Sequence, residues 1–262
     1  MSKLLGWLIV IAVVGLAAWY VLDRQEQEEP VAADPAPETS STESPQPEPQ
    51  FPVAADTPDS QRPVSPPLPP LDESDTPVAE ALAALVGAER LGSVAVLDQV
   101  VRRMVATVDA LDARELPPLV MPVQAPEGEF QVHGEDAKTI APENSLRYQR
   151  YVELLESLGP AEAAAFYRRH YPLFQQAYSE LGYGDAYFND RVVEIIEHLL
   201  ATPQPEQPPQ LEQVEAVYVF SNPEYEALSA GQKILLRASP GQRARIEEVL
   251  EALHGELTRP SP

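Results

Sequence analysis

Cysteine is absent from the sequence, and basic residues are few. Without cysteine the chain forms no disulfides and offers no thiolate ligand, so an exported domain must be held by its core alone. The 18 Lys and Arg residues stand against 41 Asp and Glu, which gives a formal net charge of -23 and a pI near 4.4. Nucleic acid and anionic lipid surfaces would repel such a chain, so neither is expected as a partner. A basic partner remains possible, or the acidity only keeps an exported protein soluble.

Catalytic motifs are missing as well. Neither a Gly-x-Ser-x-Gly nor a Ser-x-x-Lys pattern is present, and the four histidines are dispersed along the chain. Glu194 and His198 lie one helical turn apart and would allow a shared metal ion, but on an apolar helix such a histidine is more typical of the core or of a groove. We therefore expect no cofactor and no metal, and the sequence does not predict an enzyme.

A long hydrophobic run opens the chain. Residues 4–22 carry no charge and cover roughly 28 Å at about 1.5 Å per residue, which matches a bilayer core. Trp7 near one end and Trp19 near the other suit the two membrane interfaces. Lys3 precedes the run and acidic residues follow it, so residues 1–3 should stay in the cytoplasm. This pattern predicts a single-pass helix in the inner membrane of a bacterial envelope, with the C-terminal domain in the periplasm.

A cleaved secretory signal is the alternative reading of this run. Gly15 and Ala17 offer a cleavage site, after which the mature protein would begin near Ala18. The apolar residues continue past that site to Leu22, as an anchor requires, so we favour the uncleaved helix. Either reading exports the domain.

Proline and acidic residues dominate residues 23–70. Proline removes backbone donors, and few large apolar groups are present to offset the entropy of ordering. The stretch is therefore predicted to be a disordered linker that holds a domain away from the membrane. An alternative is that proline-reading modules recognise pieces such as residues 66–70.

Residues 71–258 are long enough for one sizeable core, and residues 259–262 are expected to form a flexible tail. The clearest amphipathic helix pattern runs through residues 97–111. The helix around Val192 is apolar around most of its girth, which predicts a central position. A further helix that begins at Pro160 should kink or restart at Pro172.

The fold class predicted from these patterns is mainly α, a helical domain with a small two-stranded β element. Residues 129–132 and 214–220 are rich in β-branched and aromatic positions and should pair as strands packed on the helices. Two Ser-x-x-Gln pairs have the spacing of capping boxes and should begin two more helices: Ser229 with Gln232, and Ser239 with Gln242.

Several ordered stretches resemble a bacterial family known only as domain of unknown function 3014 (DUF3014). The resemblance covers approximately residues 71–257 and implies one membrane span and a variable linker, but no activity, cofactor or catalytic residue. The stretches that carry it include Arg147-Tyr148-Gln149-Arg150-Tyr151, Phe188-Asn189-Asp190-Arg191, and Leu228-Ser229-Ala230-Gly231-Gln232-Lys233 with Leu235-Leu236-Arg237.

Arg and Tyr are unusually dense between residues 147 and 191 of this acidic chain. Both side chains anchor interfaces, because they cover area, stack and donate hydrogen bonds. The alternative is an internal network in which Arg pairs with nearby acids such as Glu153, Glu156, Glu162 or Asp190. The candidate binding residues are Arg147, Arg150, Tyr151, Tyr167, Arg168, Arg169, Tyr171 and Arg191.

The function predicted from the sequence is that of a membrane-anchored periplasmic module that binds another envelope protein. The span, the long linker and the lack of a nucleophile or metal motif motivate it. One alternative is a hydrolase acting on cell-wall material, with some of Glu153, Asp190, Glu194 and His198 in a cleft. Another is a structural spacer or assembly module.

Overall fold

The computed structural model describes residues 48–53, 67–135, 138–157 and 159–259. The predicted membrane helix at residues 4–22 and most of the predicted linker lie outside these residues. In the part described, no helix combines the length and apolar character needed to cross a membrane.

The described domain is mainly helical and carries a small antiparallel sheet. Its helices are α1 (Asp75–Val86), α2 (Ala88–Gly92), α3 (Val100–Ala110), α4 (Asn144–Ser157), α5 (Pro160–Glu180), α6 (Phe188–Leu200), α7 (Pro223–Glu226), α8 (Ala230–Arg237) and α9 (Pro240–Leu257). Its strands are β1 (Val132–His133), β2 (Lys138–Ile140), β3 (Gln210–Val214) and β4 (Val217–Phe220).

Helices α3, α5, α6 and α9 pack on one another and form the main core. Val192, Ile196 and Leu199 of α6 are buried, which confirms the predicted central helix. The predicted stripe is also buried, but α3 begins only at Val100. Before it, Gln99 adopts a left-handed conformation with φ 50°, and the helix can start only after that residue.

A carboxylate from another helix caps the start of α3. Asp75 accepts the N–H of Gln99 at 2.7 Å and the N–H of Val100 at 3.0 Å. These donors have no partner inside α3, and a negative charge at a helix N-terminus is favourable. Asp75 thereby fixes the relative position of α1 and α3.

Helix α5 runs without interruption through Pro172, so the predicted restart at this residue is wrong. Pro172 is exposed, whereas Leu173 and Phe174 are buried. The apolar face therefore continues on both sides of the proline. Packing of that face outweighs the one backbone hydrogen bond that proline cannot donate.

The sheet has four strands in the order β1-β2-β3-β4, not the two that were predicted. Residues 214–220 form no single strand, because Glu215 has φ 55° and the chain reverses there between β3 and β4. Of the predicted partner strand at residues 129–132, Val132 alone lies in a strand, because β1 begins there, and β1 pairs with β2 rather than with β4. Leu211, Phe220 and Leu236 form the small apolar cluster beneath the sheet.

Ser229 and Ser239 are each the N-cap of a helix, as predicted. Ser239 and Gln242 form a complete capping box at α9, as predicted. Ser229 accepts the N–H of Gln232 at 3.2 Å, but the side chain of Gln232 donates to the carbonyl of His198 at 3.2 Å instead of closing the box. The second cap is thus partly replaced by a contact with α6.

The N-terminus of helix α8 contacts the residues that follow α3. The N–H of Ala230 donates to the carbonyl of Ala113 at 2.7 Å, and that of Gly231 donates to the carbonyl of Leu111 at 2.9 Å. These two N–H groups have no acceptor within α8, and carbonyls of the residues that follow α3 accept them instead. A Cβ on Gly231 would lie 2.6 Å from the Leu199 side chain and 2.8 Å from the Leu111 carbonyl, so glycine is needed for this approach.

Charged residues of α8 fasten it to the sheet. Lys233 is only 2% exposed, and its Nζ lies 3.3 Å from Oε1 of Glu226. The other oxygen of Glu226 accepts the N–H of Phe220 at 3.0 Å. Arg237 donates to the carbonyl of Tyr218 at 3.1 Å and lies 4.6 Å above the Phe220 ring. The residues of α8 that resemble the family therefore form contacts within the domain.

Candidate binding site at the start of helix α6

The predicted Arg and Tyr residues on α4 bind a loop of their own chain. Arg147 donates to the carbonyls of Glu127 and Gly128 at 3.0 and 2.7 Å. Arg150 forms an ion pair with Glu127 at 2.9 Å and donates to the hydroxyl of Tyr151 at 2.8 Å. That hydroxyl donates in turn to the carbonyl of Gln124 at 2.9 Å. The three predicted residues hold the loop that precedes the sheet.

The candidates on α5 belong mainly to the core. Tyr167 is fully buried beside Tyr171 and Phe174, and burial raises its pKa well above the ordinary value. Arg168 and Arg169 are half-buried. Of the predicted residues on α5, Tyr167 thus belongs to the core and offers no surface to a partner.

Arg191 connects α6 with the end of α3. Its guanidinium donates to the Asp109 carboxylate at 2.9 Å, to the Asp112 carboxylate at 2.8 Å and to Glu194 at 3.0 Å. These carboxylates raise the pKa of Arg191, although burial opposes them. The acidic partners of Arg150 and Arg191 thus differ from those named for the internal network.

A different place in the fold holds a peptide. Residues 48–53, which fall in the predicted linker, lie against the start of α6. The Asp190 carboxylate accepts the N–H of Gln50 on one oxygen at 2.9 Å and the N–H of Phe51 on the other at 2.8 Å. The side-chain amide of Asn189 donates to the carbonyl of Phe51 at 2.8 Å. We call residues 48–53 the docked segment, and the side chains of Asn189 and Asp190 the clamp.

The docked segment matches the clamp in its donors. Pro49 and Pro52 have no N–H, so Gln50 and Phe51 supply the N–H groups between them, and Asp190 accepts both. Exposure alternates along the segment, with residues 49, 51 and 53 half-buried and residues 48, 50 and 52 exposed. One side of the segment thus lies on the domain, and the chain bends at Gln50 and Phe51, so that both N–H groups reach the same carboxylate.

Apolar contacts complete the α6 corner, the site that the clamp and its surrounding groove form. Phe51 and Val53 pack against the main core. Beside them lies a groove of about 400 Å³ whose walls include Tyr178, Tyr187 and Val193. Burial raises the pKa of Tyr178 to about 12, so its phenol stays neutral. The corner therefore offers main-chain recognition by the clamp and an apolar contact for an aromatic side chain.

A second concave surface lies between the sheet and the corner that joins α8 to α9. Its volume is about 450 Å³, and its walls are mostly apolar, with Ile140, Pro205 and Leu236 among them. Arg243 at its edge donates to the carbonyls of Thr202 and Pro203 at 2.8 and 2.7 Å. No described segment occupies this groove.

The residues named for a hydrolase do not assemble a recognisable catalytic group. Asp190 is engaged by the docked segment, and Glu194 pairs with Arg191. His198 Nε2 lies 2.8 Å from the hydroxyl of Ser229. That serine is buried, and the N–H groups of the next two residues already bind carbonyls, so the described residues provide no oxyanion donors there.

The other histidines and acids show no metal centre. His170 donates from Nδ1 to the carbonyl of Phe166 at 2.8 Å, and burial lowers its pKa. Across the described ranges, no three His, Asp or Glu side chains come together as a metal site would require.

The clamp is the polar arrangement that sequence reasoning missed. The sequence suggests Asp190 as a helix cap, as a partner for arginine or as a hydrolase carboxylate, and none of these roles predicts a contact with the linker. The signal available was the Pro-Gln-Phe-Pro stretch at residues 49–52, an aromatic residue between prolines in an otherwise polar linker. Nothing local in the sequence connects it with a carboxylate about 140 positions away.

Comparison with known proteins gives one match. No curated protein and no solved structure shows significant similarity to the chain. Residues 100–254 match the family described as a protein of unknown function, DUF3014. This range contains the clamp and α8, and it covers more than half of the chain. The protein therefore belongs to the DUF3014 family.

Proposed function

We propose that the protein is a single-pass module of the bacterial inner membrane whose periplasmic domain binds another envelope protein. The uncharged run at residues 4–22, with Lys3 before it and acids after it, supports this location. The proline-rich linker supports a domain that works at a distance from the membrane. The absence of a catalytic motif in the sequence favours binding over catalysis.

The observation that carries the binding function is the clamp. Asn189 and Asp190 hold a bent stretch of chain through its main-chain N–H and C=O groups. Capture of a short peptide by main-chain hydrogen bonds together with side-chain pockets is a recurring mode of protein binding. The Arg and Tyr residues support it less, because Arg147, Arg150 and Arg191 already bind groups of their own domain.

Site-specific crosslinking in intact cells tests this function. A photoreactive residue placed at Leu181, which is 46% exposed in the loop between α5 and α6, should capture a discrete envelope protein. The same residue at Leu146 on α4, which is 71% exposed, is the matched control and should not capture that protein. Asp190→Ala should reduce the product from Leu181 by about tenfold or more.

Protease treatment of spheroplasts tests the location in the same cells. The domain should be digested without lysis if it lies in the periplasm. Protection of the domain until lysis would overturn the proposed location. Equal products from Leu181 and Leu146, or none from either, would favour a structural spacer over a binding module.

A further inference from the structure

The α6 corner holds one particular kind of peptide. We infer that this corner is a binding site for bent segments of the form Pro-x-aromatic-Pro, and that the docked segment occupies it as an intramolecular ligand. A partner protein then binds by presenting a segment of the same kind and displacing residues 48–53. This inference rests on the proposed binding function and names its ligand and its regulation.

The hydrogen bonds define the backbone of the ligand. The clamp takes two consecutive N–H groups and the carbonyl of the second residue, here Gln50 and Phe51. A proline on each side adds no N–H that would need a further acceptor. The chain bends at Gln50 and Phe51, which allows the two N–H groups to reach one carboxylate. Proline on each side limits the conformations of the free segment and so lowers the entropy cost of binding. The ligand class is therefore a bent segment with prolines around the bound pair.

The apolar contacts define one side chain of the ligand. Phe51 is the bound residue whose ring packs on the core, whereas Gln50 beside it is exposed. An aromatic side chain buries much apolar area with little rotamer entropy, which makes it the usual anchor of a short peptide. The residue before the aromatic is accordingly unrestricted.

The clamp directs its side chains towards the docked segment. Every side-chain hydrogen bond that Asn189 and Asp190 make to described residues goes to the docked segment. Their neighbours in sequence differ, since Phe188 is a core residue and Arg191 binds α3. The clamp lies within the region that matches the family, whereas the docked segment lies outside it. The site and its present occupant are thus separable parts of the chain.

The docked segment belongs to the same chain as the clamp, which favours its binding there over that of a free peptide. Residues 54–66 join the docked segment to Pro67, where the described chain resumes. A ligand on so short a connection has an effective concentration on the order of millimolar. A free peptide of the same sequence must compete with the docked segment for the clamp. It should therefore bind the wild-type chain far more weakly than a variant whose own segment no longer binds.

Peptide binding to the full chain tests the inference. The probe is a fluorescent synthetic peptide with the sequence of residues 46–55, measured by polarisation. The wild-type chain and a Phe51→Ala chain are compared, and Phe51→Ala should bind the probe at least about tenfold more tightly. Addition of Asp190→Ala to Phe51→Ala should abolish binding. Glu251→Gln in the same background is the matched control, because Glu251 is exposed on α9 and lies outside the groove, and this variant should bind normally.

Three results would overturn the inference: no binding of the probe to Phe51→Ala at millimolar concentration, equal binding to wild type and Phe51→Ala, or unchanged binding after Asp190→Ala. Unaltered thermal unfolding of each variant shows that the domain is intact. This experiment uses purified protein, so it can succeed even if no envelope partner is captured in cells. Conversely, a captured partner with no binding of the probe would keep the proposed function and reject this ligand class.

Discussion

Helix α8 and the start of α6 both carry stretches that resemble the family, yet they use them differently. In α8, Gly231 permits close approach to α3, and Lys233 and Arg237 fasten the sheet. At the start of α6, the side chains of Asn189 and Asp190 instead form hydrogen bonds with residues from the predicted linker. A distinctive stretch of sequence can therefore hold a domain together in one place and present a binding site in another.

The burial of these groups explains the difference. The contacts of α8 are enclosed between helices and strands, so each one is costly to lose. Asn189 of the clamp is buried, but Asp190 is half-buried, and its hydrogen bond to Gln50 is exposed, so water can replace the docked segment there. Changes in α8 should lower the global stability, whereas changes in the clamp should affect only the segment.

The largest effect should come from Glu226→Ala. It leaves the Lys233 ammonium, only 2% exposed, without its nearest carboxylate, and it removes the acceptor of the Phe220 N–H. Loss of one partner from a buried ion pair costs about 3 kcal/mol of unfolding free energy. Lys233→Met is the matched control and should cost less than about 1.5 kcal/mol, since it removes the buried charge itself. Urea unfolding of the full-length chain measures both, and equal losses would contradict the expected role of the pair.

Gly231→Ala should have the next largest effect. The added methyl group would lie 2.6 Å from Leu199 and 2.8 Å from the Leu111 carbonyl, so α8 must move away from α3. Overpacking of this kind costs about 1 to 3 kcal/mol. Gly241→Ala in α9 is the control, because nothing lies within 4 Å of its added methyl. That change should stabilise the domain by up to about 1 kcal/mol through helix propensity. Equal stability of the two variants would show that the approach of α8 to α3 is not tight.

Local features of the fold could be predicted from the sequence. The capping box of Ser239 and Gln242, the buried stripe of α3 and the central position of α6 all depend on residues within one helix. The four-stranded sheet could not be predicted from the sequence, because β2 has only three residues and its residue Thr139 pairs with Gln210, far along the chain. Periodicity reports which face is buried but not which strand lies beside it.

The candidate site shows the same limit. The density of Arg and Tyr between residues 147 and 191 is evident from the sequence. Their spacing suggests that the arginines pair with nearby acids such as Glu153 and Glu156. Arg191 instead reaches Asp109, 82 positions away, and Asp190 reaches Phe51 across 139. Partner choice across such distances follows from the packing of whole helices, which no local pattern encodes.

The smallest effect, and the sharpest comparison, concerns two carboxylates that do the same chemistry. Asp75 accepts the N–H groups of Gln99 and Val100, and Asp190 accepts those of Gln50 and Phe51. Asp75→Ala removes a helix cap and should lower the unfolding free energy by about 1 to 2 kcal/mol. Asp190→Ala should lower it by less than about 0.5 kcal/mol, because only the docked segment is released.

Amide hydrogen exchange distinguishes the two carboxylates residue by residue. In the wild-type chain, Val100 should exchange mainly through global unfolding, whereas Gln50 and Phe51 should exchange through local release that denaturant hardly changes. Asp190→Ala should abolish protection at Gln50 and Phe51 and leave Val100 and Gly231 unaltered. If Phe51 were instead as protected as Val100, the docked segment would be a cooperative part of the domain. The clamp would then be a structural contact like that of Asp75, and a partner's peptide could not displace the segment without unfolding the protein.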